Sequence, residues 1–153
     1  MRVLLQRCAG ASVHVEGELV GEIPQSKPGY VLLAGVVEAD LPEDIEWAVR
    51  KVMNLKLFPD EQGAMARSLL DIEGDLLLIS QFTLHASTKK GNRPSFSRAA
   101  KPDFAEPYLE QFKQALENAL GKPIATGRFG ADMQVSLVND GPVTIWLDSK
   151  NRD

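Results

Sequence analysis

The sequence is poor in the residues from which metal and redox sites are built. Cys8 is the only cysteine among 153 residues, and His14 and His85 are the only histidines. A lone cysteine excludes an internal disulfide and points to a reducing compartment, most simply the cytosol. One cysteine and two histidines cannot build a tetrahedral zinc site without several carboxylates, and no stretch offers that spacing. Long hydrophobic runs are also missing. The longest, "YVLLAGVV" (Tyr30–Val37), is far too short to cross a membrane. The start, "MRVLLQRCAG", is broken by Gln6 and Arg7 and suits a first strand better than a signal peptide. No excess of cations advertises nucleic acid: Lys and Arg number 17 against 21 Asp and Glu, a formal net charge of −4. Any such contact must therefore be local. There is no internal repeat, low-complexity tract or linker.

What is present suits one globular domain over residues 1–153, with 44% hydrophobic and 25% charged residues. Residues 2–8 read as a strand. "SVHVEGELVGEI" (Ser12–Ile23) reads as a hairpin turning at Glu16-Gly17, and "IPQSKPG" (Ile23–Gly29) as a loop. Tyr30–Val37 and "DLLLISQFTL" (Asp75–Leu84) are continuous apolar strands, with "LKLF" (Leu55–Phe58) a shorter one. Asp40 and Glu43 have capping-box spacing before a helix over Pro42–Leu55. Asp103 and Glu106 repeat that spacing before a second helix. Pro107 lies in its first turn, Gly121 closes it, and Phe104, Leu109, Phe112, Leu116 and Leu120 line its buried side. Three short strands follow, near Ile124–Thr126, Gln134–Val138 and Val143–Asp148. Many strands with two helices imply an α+β domain with a curved, antiparallel or mixed sheet.

Three stretches could carry chemistry. "SQFT" (Ser80–Thr83) puts polar groups at the end of an apolar strand. These either bond to backbone where the strand leaves the sheet or form a donor cluster aimed at a substrate carbonyl or oxyanion. A Thr83 nucleophile needs a base, and His85 is the only one nearby. "HASTKKGNRPSFSRAAK" (His85–Lys101) holds Lys89, Lys90, Arg93, Arg98 and Lys101 and no acid. It is either a solvated loop or a phosphate contact with Phe96 set to pack on a base or ribose. "VNDGPVTIW" (Val138–Trp146) interrupts a strand-like pattern with four turn-forming residues. It is a surface turn or a device that places backbone atoms. "GRFGADM" (Gly127–Met133) lacks the features of a phosphate or dinucleotide loop, so no cofactor is assigned from it. Acids from Glu38 to Glu46 read as a capped, solvated helix start.

"SQFTL", "RPSFS", "GRFGADM" and "LVNDGPVT", in that order, after "MRVLLQR" and "ASVHVEGELVGEI", closely resemble the D-aminoacyl-tRNA deacylase family over essentially the whole chain. The resemblance implies a compact, β-rich α/β domain of the α+β type, with a curved, barrel-like mixed sheet and two main helices, working as a homodimer in the cytoplasm. It implies catalysis by Ser80, Gln81, Phe82 and Thr83. Gly141-Pro142, joined by a cis bond, would reach in from the other subunit to accept the substrate ammonium and reject L-amino acids. Arg7 matches a family arginine expected to brace the site beside "SQFT", and Asn139 and Phe96 join the substrate-binding set. Lys89, Lys90, Arg93 and Arg98 are candidates for RNA backbone contact. The expected substrate is aminoacyl-tRNA whose 3′-terminal adenosine carries a D-amino acid or glycine. No metal, cofactor, membrane or DNA is expected. Two mechanisms stay open: a Thr83 nucleophile, or water attack assisted by the ribose hydroxyl. A non-catalytic RNA-binding dimer would keep the basic loop without needing Gly141-Pro142 to meet "SQFT".

Overall fold

The computed structural model describes residues 1–153. Five strands form one mixed sheet in the order β6-β5-β2-β1-β7: β1 (Arg2–Val15), β2 (Glu18–Gly35), β5 (Asp75–Ser80), β6 (Ala125–Thr126) and β7 (Gln134–Asp148). β1 is antiparallel to both β2 and β7, while β5 runs parallel to β2 and β6. Helices α1 (Pro42–Asn54) and α2 (Pro102–Leu120) are joined to it through a small β3–β4 ribbon (Phe58–Pro59 and Met65–Arg67) and loops. The α+β class with two helices is as expected. The barrel-like closure is not: β6 and β7 are the two free edges of an open sheet. β6 is only two residues long, too short to close a ring.

The apolar run of β5 follows from burial on both faces. Leu76 and Leu78 face a large core with Leu5, Tyr30 and Leu32, Val52 of α1, and Phe112 and Leu116 of α2. Leu77 and Ile79 face a smaller core with Cys8, Val13, Ile23 and Val31, flanked by Met133, Val135 and Leu137.

Several local expectations change. "IPQSKPG" lies within β2 rather than in a separate loop: Pro28 pairs with Ala9 and Ile23 with Ala11, and Pro24–Lys27 bulge opposite Gly10. Gly10, at φ +95°, marks the irregularity, and its backbone passes so near Gln25 that an added Cβ would lie 3.0 Å from that Cα. Glu16-Gly17 turns as expected, both residues at positive φ. The α1 box is closed by Asp44, which accepts from the Leu41 N–H at 2.7 Å. Asp40 instead accepts from the Met1 ammonium and the Val37 N–H. α2 begins at Pro102 without a side-chain cap, which places Pro107 inside the helix rather than in its first turn. Gly121 closes it in the left-handed conformation. Neither helix is long and apolar enough to cross a membrane.

Candidate functional site

Beyond Ser80 the chain follows the parallel ladder for one more bond, Gln81 N–H to the Ala34 carbonyl at 2.7 Å. It then coils into a 3-10 turn, Phe82–His85. Gly35 permits this exit, since a Cβ there would lie 2.6 Å from the Gln81 carbonyl oxygen. The first N–H groups of such a turn have no partner within it. Those of Phe82 and Thr83 find no backbone acceptor elsewhere. Both residues are exposed, Phe82 by 55%. The Gln81 side-chain amide donates to the Thr83 hydroxyl oxygen at 2.5 Å, leaving that hydroxyl's own proton free to donate. His85 is buried beneath the turn against Gly35, its Nε2 without a partner. Burial holds its pKa below the ordinary value, while a bond with the Gly35 backbone opposes that shift. It is a neutral structural imidazole, not a base set toward solvent.

This strand exit borders a cavity of about 540 Å³. Ser80, Gln81, Phe82, Phe96, Phe129 and Met133 are among its walls. Phe82 and Phe96 meet edge to face at 5.2 Å, so the basic loop folds onto the "SQFT" turn. Lys89, Lys90, Arg93, Arg98 and Lys101 are all exposed, and none takes part in an ion pair. Lys101 lines the cavity itself. "GRFGADM" thus contributes Phe129 and Met133 to a site from which sequence reasoning had left it out. At Gly127 a Cβ would lie 2.5 Å from the Met133 sulfur, a close approach that requires glycine there.

"NDGP" is neither a hairpin tip nor a gap between two strands. β7 runs through it, paired with β1 on both sides: Asn139 opposite Cys8, and Thr144 opposite Gln6. Only Arg7 stands opposite Asp140–Val143, so these residues bulge outward. Asn139 closes the bulge, its amide donating to the carbonyls of Arg7 at 3.0 Å and Val143 at 3.1 Å. Arg7 is buried and donates to the carbonyls of Asp140 at 3.0 Å and Leu57 at 2.5 Å. Gly141 sits at φ +125°, the Gly141-Pro142 bond is cis, and both residues are exposed.

Within one chain Arg7 therefore braces the bulge and makes no hydrogen bond to the "SQFT" turn. The residue that does reach that turn, Arg2, donates from Nη1 to the Leu84 carbonyl at 2.8 Å. Nor does one chain bring the two motifs together. β2 and β1 lie between β5 and β7, three strand spacings or about 14 Å across the sheet, and Ser80 is level with Val3 of β1 while the bulge is level with Arg7, roughly 13 Å further along it.

Residues 4–148 match the family model described as D-Tyr-tRNA(Tyr) deacylase. The chain is 58% identical over 151 residues to D-aminoacyl-tRNA deacylase of Chromobacterium violaceum, covering 99% of both chains. It is 54% identical over 153 residues to D-aminoacyl-tRNA deacylase of Flavobacterium johnsoniae, covering all of both. Among solved structures, the c-Myc DNA Unwinding Element Binding Protein superposes with a TM-score of 0.88 at 38% identity, over 97% of this chain and 98% of that one. A probable eukaryotic D-amino acid tRNA deacylase superposes with a TM-score of 0.79 at 18% identity, over 95% and 97%. At that identity the likeness speaks for the fold alone.

Proposed function

The chain belongs to the D-Tyr-tRNA(Tyr) deacylase family, and we propose how its own residues carry out and restrict that family's reaction. It is a hydrolase of the ester bond in D-aminoacyl-tRNA. The observation that carries the mechanism is the pair of free N–H groups of Phe82 and Thr83 at the mouth of an aromatic-walled cavity. Preorganised donors of this kind stabilise the charge that develops on an ester carbonyl oxygen under attack.

In our reading the attacking group is water. It adds to the carbonyl carbon, the ester C–O bond breaks, and the ribose oxygen leaves with a proton. The neighbouring ribose hydroxyl orients the water, and the Thr83 hydroxyl, held by Gln81, positions the carbonyl. A Thr83 nucleophile is disfavoured because His85, its only nearby candidate base, is buried with a depressed pKa. The unpaired cations from Lys89 to Lys101 hold the tRNA backbone, with Phe96 packing on a terminal base or ribose. The chemistry calls on no metal or cofactor and takes place in the cytoplasm, beside the translation machinery that supplies the substrate.

Chiral selection falls to Gly141-Pro142 of a second copy of the chain. The bulge is exposed, carries no reactive side chain and is held by Arg7 and Asn139. Its carbonyls accept the substrate α-ammonium. With ammonium and ester carbonyl both fixed, handedness decides where the side chain points. An L side chain runs into Gly141-Pro142, whereas a D side chain points away from it. Glycine has nothing to reject, so glycyl-tRNA is also cleaved.

Hydrolysis of matched D- and L-tyrosyl-tRNA by the purified protein tests this reading. Rapid release from the D-ester with the L-ester spared is expected. Equal rates would remove the selection role of the bulge.

A further inference from the structure

Arg2 lies outside both motifs, yet it touches the turn that follows Ser80. Its Nη1 donates to the Leu84 carbonyl at 2.8 Å and its Nε to Asp148 Oδ2 at 3.1 Å. Its guanidinium carbon lies 5.5 Å from the Trp146 ring centre. Asp148 and Trp146 belong to β7, and Arg2 stands opposite Asp148 in the ladder. The guanidinium is thus fixed by β7 before it reaches the turn, which makes it a stiff donor.

The turn needs such an anchor. Phe82 and Thr83 are exposed, and the one aromatic contact on them is that of Phe82 with Phe96. The entry is pinned by Gln81 N–H on the Ala34 carbonyl. Inside, Leu84 N–H bonds the Gln81 carbonyl at 3.3 Å and Ala86 N–H that of Thr83 at 3.1 Å. At the exit, His85 is buried, and Arg2 supplies the side-chain hydrogen bond to the turn's backbone from another strand.

We propose that Arg2 is a positioning residue for deacylation: by fixing the Leu84 carbonyl it sets the aim of the Phe82 and Thr83 N–H groups. This rests on the oxyanion role given to those groups above. Donors that act on the transition state must be held within a fraction of an ångström, so loosening them lowers the chemical step rather than binding.

Arg2→Met keeps the stem over Trp146 and removes both donors. Three readouts are taken: amide hydrogen exchange at Leu84 and Ala86, the single-turnover rate on D-tyrosyl-tRNA, and tRNA affinity. Exchange should quicken, the rate fall about tenfold or more, and affinity stay within about twofold. Arg2→Lys, which keeps one donor, should recover part of the rate. Asp148→Asn keeps an oxygen acceptor for Nε and leaves the Leu84 contact in place, so it should lower the melting temperature while costing less rate than Arg2→Met. Unchanged exchange in Arg2→Met would overturn the role of Arg2 and leave the oxyanion reading standing. Faster exchange with an unchanged rate would overturn the oxyanion role of the turn, and with it that of Arg2. A rate loss in Asp148→Asn as large as in Arg2→Met would reduce Arg2 to a general support of the sheet edge.

Discussion

Replacing Gly141 by Ala probes the bulge with one methyl group. Two costs are visible. Gly141 sits at φ +125°, a backbone conformation that L side chains rarely adopt. Holding a non-glycine residue in such a region costs about 1–3 kcal/mol. The new Cβ would also lie 2.9 Å from Arg7 Nη2 and 2.9 Å from Val143 Cγ2. Both are closer than real Cβ contacts, so something must move. Arg7 has little freedom to do so, because it is buried and bonded to the carbonyls of Leu57 and Asp140. The bulge will therefore shift, and the displacement reaches the two carbonyls assigned to the substrate ammonium. A loss of roughly 2 kcal/mol should lower the melting temperature by about 4–8 °C in a domain of this size. A displacement on the order of 1 Å should slow D-tyrosyl-tRNA hydrolysis by up to about 100-fold. L-tyrosyl-tRNA should stay protected, since the methyl adds bulk where its side chain is already refused. Thermal unfolding together with enantiomer-resolved deacylation measures all three. A variant with the parent's melting temperature and D-ester rate would refute the reasoning, and one that gains L-ester hydrolysis would refute rejection by shape.

Other outcomes follow from the same geometry. Changing Lys89 and Lys90 to Ala should make the slope of log affinity for tRNA against log salt shallower by roughly one to two; an unchanged slope would return this loop to solvent. Thr83→Ala should cost roughly 10- to 100-fold in kcat if the hydroxyl positions the ester, against roughly 10⁴-fold or more for a covalent nucleophile. Asp44 supplies a pH signature. Burial works against its charge, but Lys150 at 2.7 Å, Ser149 and the Leu41 N–H outweigh it and hold its pKa at about 2. The folded value lies below the unfolded one, so this stability is present above pH ~4 and lost as pH falls toward ~2. Asp44→Asn should therefore cost about 2 kcal/mol at pH 7 and much less at pH 2 by chemical denaturation.

Periodicity in the sequence located both helices and the main apolar strands, because those patterns record which faces are buried. It misjudged what long-range pairing decides. "IPQSKPG" is rich in turn formers, yet it makes only a bulge within β2, because β1 pairs with β2 on both sides of it. Asp40 has cap spacing, but the Met1 ammonium, distant in sequence, claims its carboxylate. "NDGP" announced a break, and only its pairing with β1 on both sides made it a bulge. The motif residues were named through family resemblance alone, and of them Ser80, Gln81 and Phe82 line one cavity with Phe96. The duties of the two arginines were not legible. Arg2 and Arg7 are both N-terminal arginines on one strand, and nothing local tells which reaches the turn at residue 84 and which the bulge at residue 140. That follows from the order β5-β2-β1-β7, a property of the whole sheet.

Arg2 and Arg7 stand five residues apart on β1, so their side chains leave opposite faces of the sheet. Arg2 holds the turn and Arg7 the bulge, and β1 is paired along both edges. It is thus a common brace for a turn and a bulge that a single chain keeps well apart, three strands across the sheet and four residues along it. If one protomer's turn works with its partner's bulge, damage to either half should complement in mixed dimers. Phe82→Pro removes one of the free N–H donors, and Gly141→Ala displaces the bulge. A mixed dimer of these two chains has one site with both halves damaged and one with both intact. The isolated mixed dimer should therefore recover about half of parental activity, although each variant alone is nearly inactive. Sites built within one protomer give no such recovery, because every chain then carries one damaged half. Co-expression with two different affinity tags, isolation of the doubly tagged species and D-tyrosyl-tRNA hydrolysis decide between the two. A doubly tagged dimer no more active than its parents would place both half-sites' work in one chain and end the cross-subunit reading.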